Sequence, residues 1–119
     1  MNQPTNKKGQ GGENRAVAFL LKNNYKILAR NFRYKKLEID IIALDKTVDE
    51  VVFVEVKYRK SSDYGEPAQT VSHRQLKNLK TVSQIFLMQY QLEKNFRFDI
   101  ISILPNKIRH LKNITVEMS

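Results

Sequence analysis

The sequence predicts an α/β domain: a mixed central β-sheet flanked by helices, with elements in the order α-β-β-β-α-β-β. Three observations carry this. Residues 38–43 and 51–57 are short runs rich in β-branched and aromatic residues, separated by a polar stretch at 45–50, and read as neighbouring strands. Residues 12–24 and 72–90 repeat apolar side chains at helical spacing. Residues 25–34, 96–104 and 108–111 supply the other strands.

The chain has 119 residues, 41% of them hydrophobic, which suits one domain with a single layered core. Residues 12–119 form that domain. Residues 1–11 have no apolar side chain after Met1 and are expected to be a disordered arm, with Lys7 and Lys8 making it basic. Lys plus Arg number 21 against 12 Asp plus Glu, a net charge of +9, which favours polyanionic partners and nucleic acid among them.

Cysteine is absent, which excludes disulfides, thiolate zinc sites and cysteine nucleophiles. The two histidines, His73 and His110, are too few for a His-rich metal site. No apolar run approaches the roughly 18 residues of a membrane span, and residues 1–12 lack an apolar signal segment. The expectation is a cytoplasmic protein without a membrane partner.

In the first helix Glu13, Ala16, Val17 and Leu20 share one face, so Glu13 heads the inward stripe. It either complements the helix dipole or serves the site as a carboxylate. The strand 25–34 ends in a basic group: Arg30, Arg33, Lys35 and Lys36. Strict alternation puts Glu38, Asp40 and Ile42 on one face of the next strand, and Phe53, Glu55 and Lys57 on one face of the third. The third strand is apolar at nearly every other position and is expected to be central, covered on both sides. Charges there require a partner or an ion.

A short connection between those strands sets Asp40 beside Glu55. Two converging carboxylates repel, and a hard divalent cation, Mg²⁺ or Mn²⁺, relieves the repulsion. Lys57 points the same way as Glu55. A metal to activate water, with an amine near a phosphate, is equipment for phosphodiester hydrolysis.

Residues 57–70 read as a loop leaving that strand. Arg59 is placed to bind phosphate there, and Tyr58 and Tyr64 to stack on unpaired bases. On the second helix Leu76, Leu79, Ser83, Phe86 and Tyr90 make an apolar stripe, while Arg74, Lys77 and Lys80 make a basic band. Arg97 and Asp99 share a strand face and read as a structural ion pair.

Asp40 followed by Glu55-Val56-Lys57 resembles the core of the PD-(D/E)XK nuclease superfamily, which includes restriction endonucleases and Holliday junction resolvases. Closer still, Gly12-Glu13, Ala29-Arg30-Asn31-Phe32-Arg33, Glu38-Ile39-Asp40, Val52 to Arg59, Gly65-Glu66-Pro67 and Arg97-Phe98-Asp99 resemble the YraN-like family of small bacterial proteins. The resemblance covers residues 12–110. It implies a restriction-endonuclease-like fold and a Mg²⁺-dependent endonuclease-like activity on DNA, branched DNA included.

Residue by residue, the resemblance implies that Asp40 and Glu55 hold metal and Glu13 adds a third carboxylate. Lys57 is the catalytic amine, and Arg30 and Arg33 are favoured as phosphate contacts over the alternative of a solvated strand edge; Arg59 in the loop and Arg74 and Lys77 in the basic band of the helix are the other nucleic-acid-binding candidates. Two positions depart from the pattern. Leu37 stands where the family carries Gly, and Gln75 where it is expected to carry Lys; Gln75 is the candidate helper holding substrate or water. Cleavage of a junction would favour a symmetric homodimer. The alternative is a non-catalytic nucleic-acid-binding module of the same fold within a DNA-processing assembly, and a third option is an RNA-directed protein.

Overall fold

The computed structural model describes residues 7–59, 70–71 and 73–116. The expected arm at 1–6 and most of the loop after the third strand, including Tyr64, lie outside the described residues.

Helix α1 (Lys7–Lys22) begins five residues before the expected start at Gly12, so residues 7–11 are helical rather than part of an arm. Past its end, Asn24 takes a left-handed backbone with φ 71°, a conformation Asn tolerates, and the chain turns into β1 (Tyr25–Tyr34). The Lys35-Lys36 turn, with Lys35 at φ 57°, leads into β2 (Leu37–Asp45). A second turn leads into β3 (Glu50–Tyr58). There the Thr47 N–H donates to Asp45 Oδ1 at 3.0 Å and the Asp49 N–H to the Asp45 carbonyl at 2.7 Å.

After β4 (Thr70–Val71) come α2 (His73–Gln89), β5 (Phe96–Ile103), β6 (Ile108–Leu111) and β7 (Thr115–Val116). The main sheet runs β1-β2-β3-β5-β6, so its elements follow the expected order α-β-β-β-α-β-β. Within this sheet only β3 and β5 pair in parallel. A parallel pair needs a crossover, and α2 lies on it. The small parallel sheet β4-β7 was not expected from the sequence.

Each face of the main sheet is covered by one helix. Ala16 and Leu20 of α1 pack with Tyr25, Ile41, Ala43, Val52, Val54, Ile101 and Ile103. Val82 and Phe86 of α2 pack with Ile39, Ile42, Val51, Phe53 and Phe98. The α2 stripe is buried through Val82, Ser83 and Phe86, whereas Tyr90 is 53% exposed. Strand β3 is central and buried at Val51–Val54, as expected, but Glu55, Val56 and Lys57 are half-buried and Tyr58 is exposed. Among the described residues no helix is long and apolar enough to cross a membrane.

One charged network is built into the α1 side. Arg97 is bonded to Asp99 at 3.1 Å, Asp45 at 3.0 Å, Glu50 at 3.0 Å and the Tyr25 hydroxyl at 2.9 Å. Asp99, with a side chain 0% exposed, also meets His110 Nε2 at 2.7 Å and accepts the Asn113 N–H at 2.8 Å. Burial works against the charge of Asp99, yet His110, the Asn113 N–H and Arg97 hold its carboxyl below the usual range. The expected Arg97–Asp99 pair is therefore one edge of a larger framework.

Candidate active site at the β2–β3 junction

The β2–β3 ladder runs from Asp45↔Glu50 to Ile41↔Val54. One step further along that register, Asp40 faces Glu55. There the side chain replaces the ladder: Asp40 Oδ2 accepts the Val56 N–H at 2.8 Å. In the β1–β2 register the step between Arg30↔Ile41 and Phe32↔Ile39 sets Asn31 opposite Asp40. Asn31 has φ 52°, left-handed backbone that Asn adopts more readily than most residues. Asp40 thus sits between Asn31 and Glu55 across three strands.

The alternation predicted for β2 does not hold through this point. Ile39 and Ile42 both pack on the α2 side, while Ile41 packs on the α1 side. The sequence cannot show this break, because period-2 reading assumes an unbroken pleat.

Four carboxylates gather here. Asp40 titrates at about 6 instead of 3.8. Burial is the main cause; the Val56 N–H opposes it, and the charges of Glu13, Glu55 and Glu38 push it further up. Glu13 lies 3.5 Å from Arg30, and Arg30 donates to Asn14 Oδ1 at 2.8 Å. With its amide nitrogen turned toward them, Asn31 donates to Glu13 Oε2 at 3.2 Å and to Glu38 Oε2 at 3.0 Å. Arg33 reaches Glu38 at 3.5 Å but is 69% exposed. Lys57 Nζ is 3.1 Å from Glu55 Oε2, with side chains 36% and 33% exposed.

Several expected residues come together, with one correction. Asp40, Glu55, Lys57 and Glu13 meet at one end of the β2–β3 pair. Arg30, expected on phosphate, is exposed and also meets Glu13 and Asn14. The Glu55–Lys57 pair, expected to be buried, is one-third exposed, so breaking it costs about 1 kcal/mol or less rather than the cost of a buried charge.

Arg59, exposed, follows β3, and its N–H donates to the Ile103 carbonyl at 2.9 Å. Arg74 and Lys77 are exposed on α2. Gln75 lines a cleft of about 210 Å³ between the β1–β2 hairpin and α2, with Glu55 and Glu38. Sequence reasoning gave no role to Glu38, Asn31 or Asn78, which lines the same cleft; the charges of Lys36 and Glu38 on either side of Leu37 were the available signal for the first.

Among the described residues, no group of three His, Cys, Asp or Glu side chains closes at metal-binding distance. The donors that fit a cation are the two facing carboxylates Asp40 and Glu55, whose like charge helps keep Asp40 from ionising. Two carboxylates with water and phosphate suit Mg²⁺ better than an all-protein cage does. Glu13, the expected third carboxylate, is close enough for its charge to act on Asp40 and is also tied to Arg30 and Asn31.

The shift of Asp40 has a testable sign. Its folded value of about 6 exceeds 3.8, so the metal-free protein loses stability as pH rises from about 4 to 6. Asp40→Asn keeps an acceptor for the Val56 N–H and removes the charge. At pH 8 without metal it should be more stable than the parent by about 1–2 kcal/mol, after a discount for solvent screening. The gap should close near pH 4 in urea unfolding; an equal gap at both values would contradict the assignment.

Comparison with known proteins follows the same residues. Residues 12–103 match the uncharacterised protein family UPF0102. A UPF0102 protein of Persephonella marina is 42% identical over 107 residues, 89% of this chain and 90% of the relative. One of Clostridioides difficile is 40% identical over 109 residues, covering 89% and 94%, and one of Caldicellulosiruptor bescii is 46% identical over 99 residues, 80% of each. The span matched holds Glu13, Asn31, Asp40, Glu55 and Lys57 together, and with it the chain belongs to the UPF0102, or YraN-like, family.

Proposed function

We propose that this protein is a Mg²⁺- or Mn²⁺-dependent nuclease-like protein that binds DNA and hydrolyses its phosphodiester bonds. The observation that carries the reading is the facing pair Asp40–Glu55, with Asp40 raised by burial and by its acidic neighbours, and Lys57 Nζ 3.1 Å from Glu55. A bound divalent cation supplies a Lewis acid that activates water and offsets phosphoryl charge.

The chain's own residues do the remaining work. Asp40 and Glu55 would hold the cation. The Val56 N–H fixes the Asp40 carboxylate at 2.8 Å, and Asn31 spaces Glu13 from Glu38. Lys57, whose Nζ lies 3.1 Å from Glu55, would donate to a non-bridging phosphate oxygen where negative charge grows. Arg33, Lys35, Lys36, Arg59, Arg74 and Lys77 are exposed and supply phosphate contacts. A binding module without cleavage is the second reading. It is favoured by the fact that Lys57 already neutralises Glu55 and Val56 already occupies Asp40.

DNA binding is tested by salt and charge reversal. Affinity should fall steeply between about 50 and 200 mM salt, because phosphate contacts release counterions. Arg33→Glu and Arg59→Glu should each weaken binding by about fivefold or more at ~100 mM salt. Lys107→Glu, in the exposed turn between β5 and β6, should change it less than twofold, within about 0.4 kcal/mol. Equal losses at all three positions would contradict a localised surface.

A further inference from the structure

We infer that the cleft between the β1–β2 hairpin and α2 receives one unpaired nucleotide of the DNA, next to a phosphate contacted by Lys57. This rests on the nuclease-like reading and narrows it to a substrate class: DNA with an unpaired position at the cut, such as a flap or branch point.

The cleft measures about 210 Å³. That is an order of magnitude beyond the ~10–15 Å³ one water requires. Its lining is of two kinds. Leu37 from β2, with Leu79 and Val82 from α2, is apolar. Asn78 and Gln75 bring carboxamides, each with a donor and an acceptor in one plane. A base needs that combination: apolar surface against its faces and hydrogen-bonding groups at its edge.

Charge decides which part of a nucleotide enters. Glu38 and Glu55 line the cleft, so a phosphate seated inside would meet two carboxylates. A neutral base meets no such repulsion. Lys36 is the cation of the lining, and Arg33, Lys35, Arg74 and Lys77 are exposed on the same two elements, the hairpin and the first half of α2. The base therefore goes in and the backbone stays along the basic rim, within reach of Glu55 and Lys57. A base stacked in continuous duplex cannot make that entry without being flipped out, which costs unstacking and unpairing.

The test uses the full chain with Ca²⁺ in place of Mg²⁺, so that binding is read without turnover. The probes are a flapped DNA carrying 2-aminopurine at the unpaired position beside the branch, and a duplex of equal length. Expected are a fluorescence change of the unpaired 2-aminopurine on binding and about tenfold tighter binding of the flapped DNA. Asn78→Leu and Asn78→Asp should each bring that preference close to unity; the second keeps the side-chain shape, so a folding defect in the first does not decide the matter. Equal affinity for both DNAs with unchanged 2-aminopurine fluorescence would overturn the inference, even if the parent cleaves DNA with Mg²⁺. Selective binding of the flapped DNA, lost in both variants, upholds the cleft even if no cleavage is found and the nuclease reading falls.

Discussion

Arg97→Met should be among the most destabilising single substitutions in this protein, costing about 3–5 kcal/mol. Methionine preserves much of the stem volume, so the loss is not chiefly a cavity. It is charge left without a partner: the Arg97 side chain is 10% exposed, Asp45 7% and Asp99 0%. Asp99 keeps His110 and the Asn113 N–H, but Asp45 keeps only the Thr47 N–H and the Tyr25 hydroxyl, and Glu50 loses its 3.0 Å contact. Against a typical total of about 5–15 kcal/mol, such a loss leaves a marginal domain.

The pH dependence gives the explanation a second check. In the parent, Asp45 and Asp99 are held below their ordinary values, so their stabilisation is present above pH ~4 and is lost as pH falls through the depressed values. Without Arg97 the same carboxyls gain from being protonated. The difference between variant and parent should therefore narrow below pH ~4 in urea unfolding. A cost under about 1 kcal/mol at pH 7, or a gap that widens in acid, would mean the network contributes little.

Much of the architecture was legible because it rests on local periodicity. The β-branched runs around Asp40 and Glu55 announced β2 and β3, and a short connection between strands is enough to set those carboxylates side by side. The stripe through Ala16, Val17 and Leu20 announced α1 and put Glu13 at its head. What could not be read depends on contacts distant in sequence or on breaks in the period. Arg97 meets Tyr25 across 72 residues, and Arg15 donates to the Leu104 carbonyl across 89. Neither follows from a spacing. Strands of two residues, such as β4 and β7, are too short to carry a pattern. The left-handed backbone at Asn31 and the crowding of Ile39, Asp40 and Ile41 break the alternation that sequence reasoning relies on.

The cost of removing Lys57 is also clearer from the structure. The sequence pointed to a buried pair, for which a purely structural amine would be costly to remove while a catalytic one, with metal beside Glu55, would leave the fold intact. The pair is one-third exposed, so structure and chemistry separate. Lys57→Met should keep the fold to within about 1 kcal/mol. DNA affinity should fall only a fewfold, since about one phosphate contact is lost among several. The amine's main contribution is to charge that develops in the transition state, so cleavage should drop by about 10²–10³-fold.

The most direct test of the central claim measures stability, DNA affinity and cleavage rate on parent and Lys57→Met, with Mg²⁺ or Mn²⁺ titrated over linear, flapped and four-way DNA. The account predicts metal-dependent cleavage by the parent, and a folded, DNA-binding variant that cleaves at least about a hundredfold more slowly. A parent that binds both metal and DNA yet cleaves none of these substrates, or a variant that cleaves as fast as the parent, would contradict it.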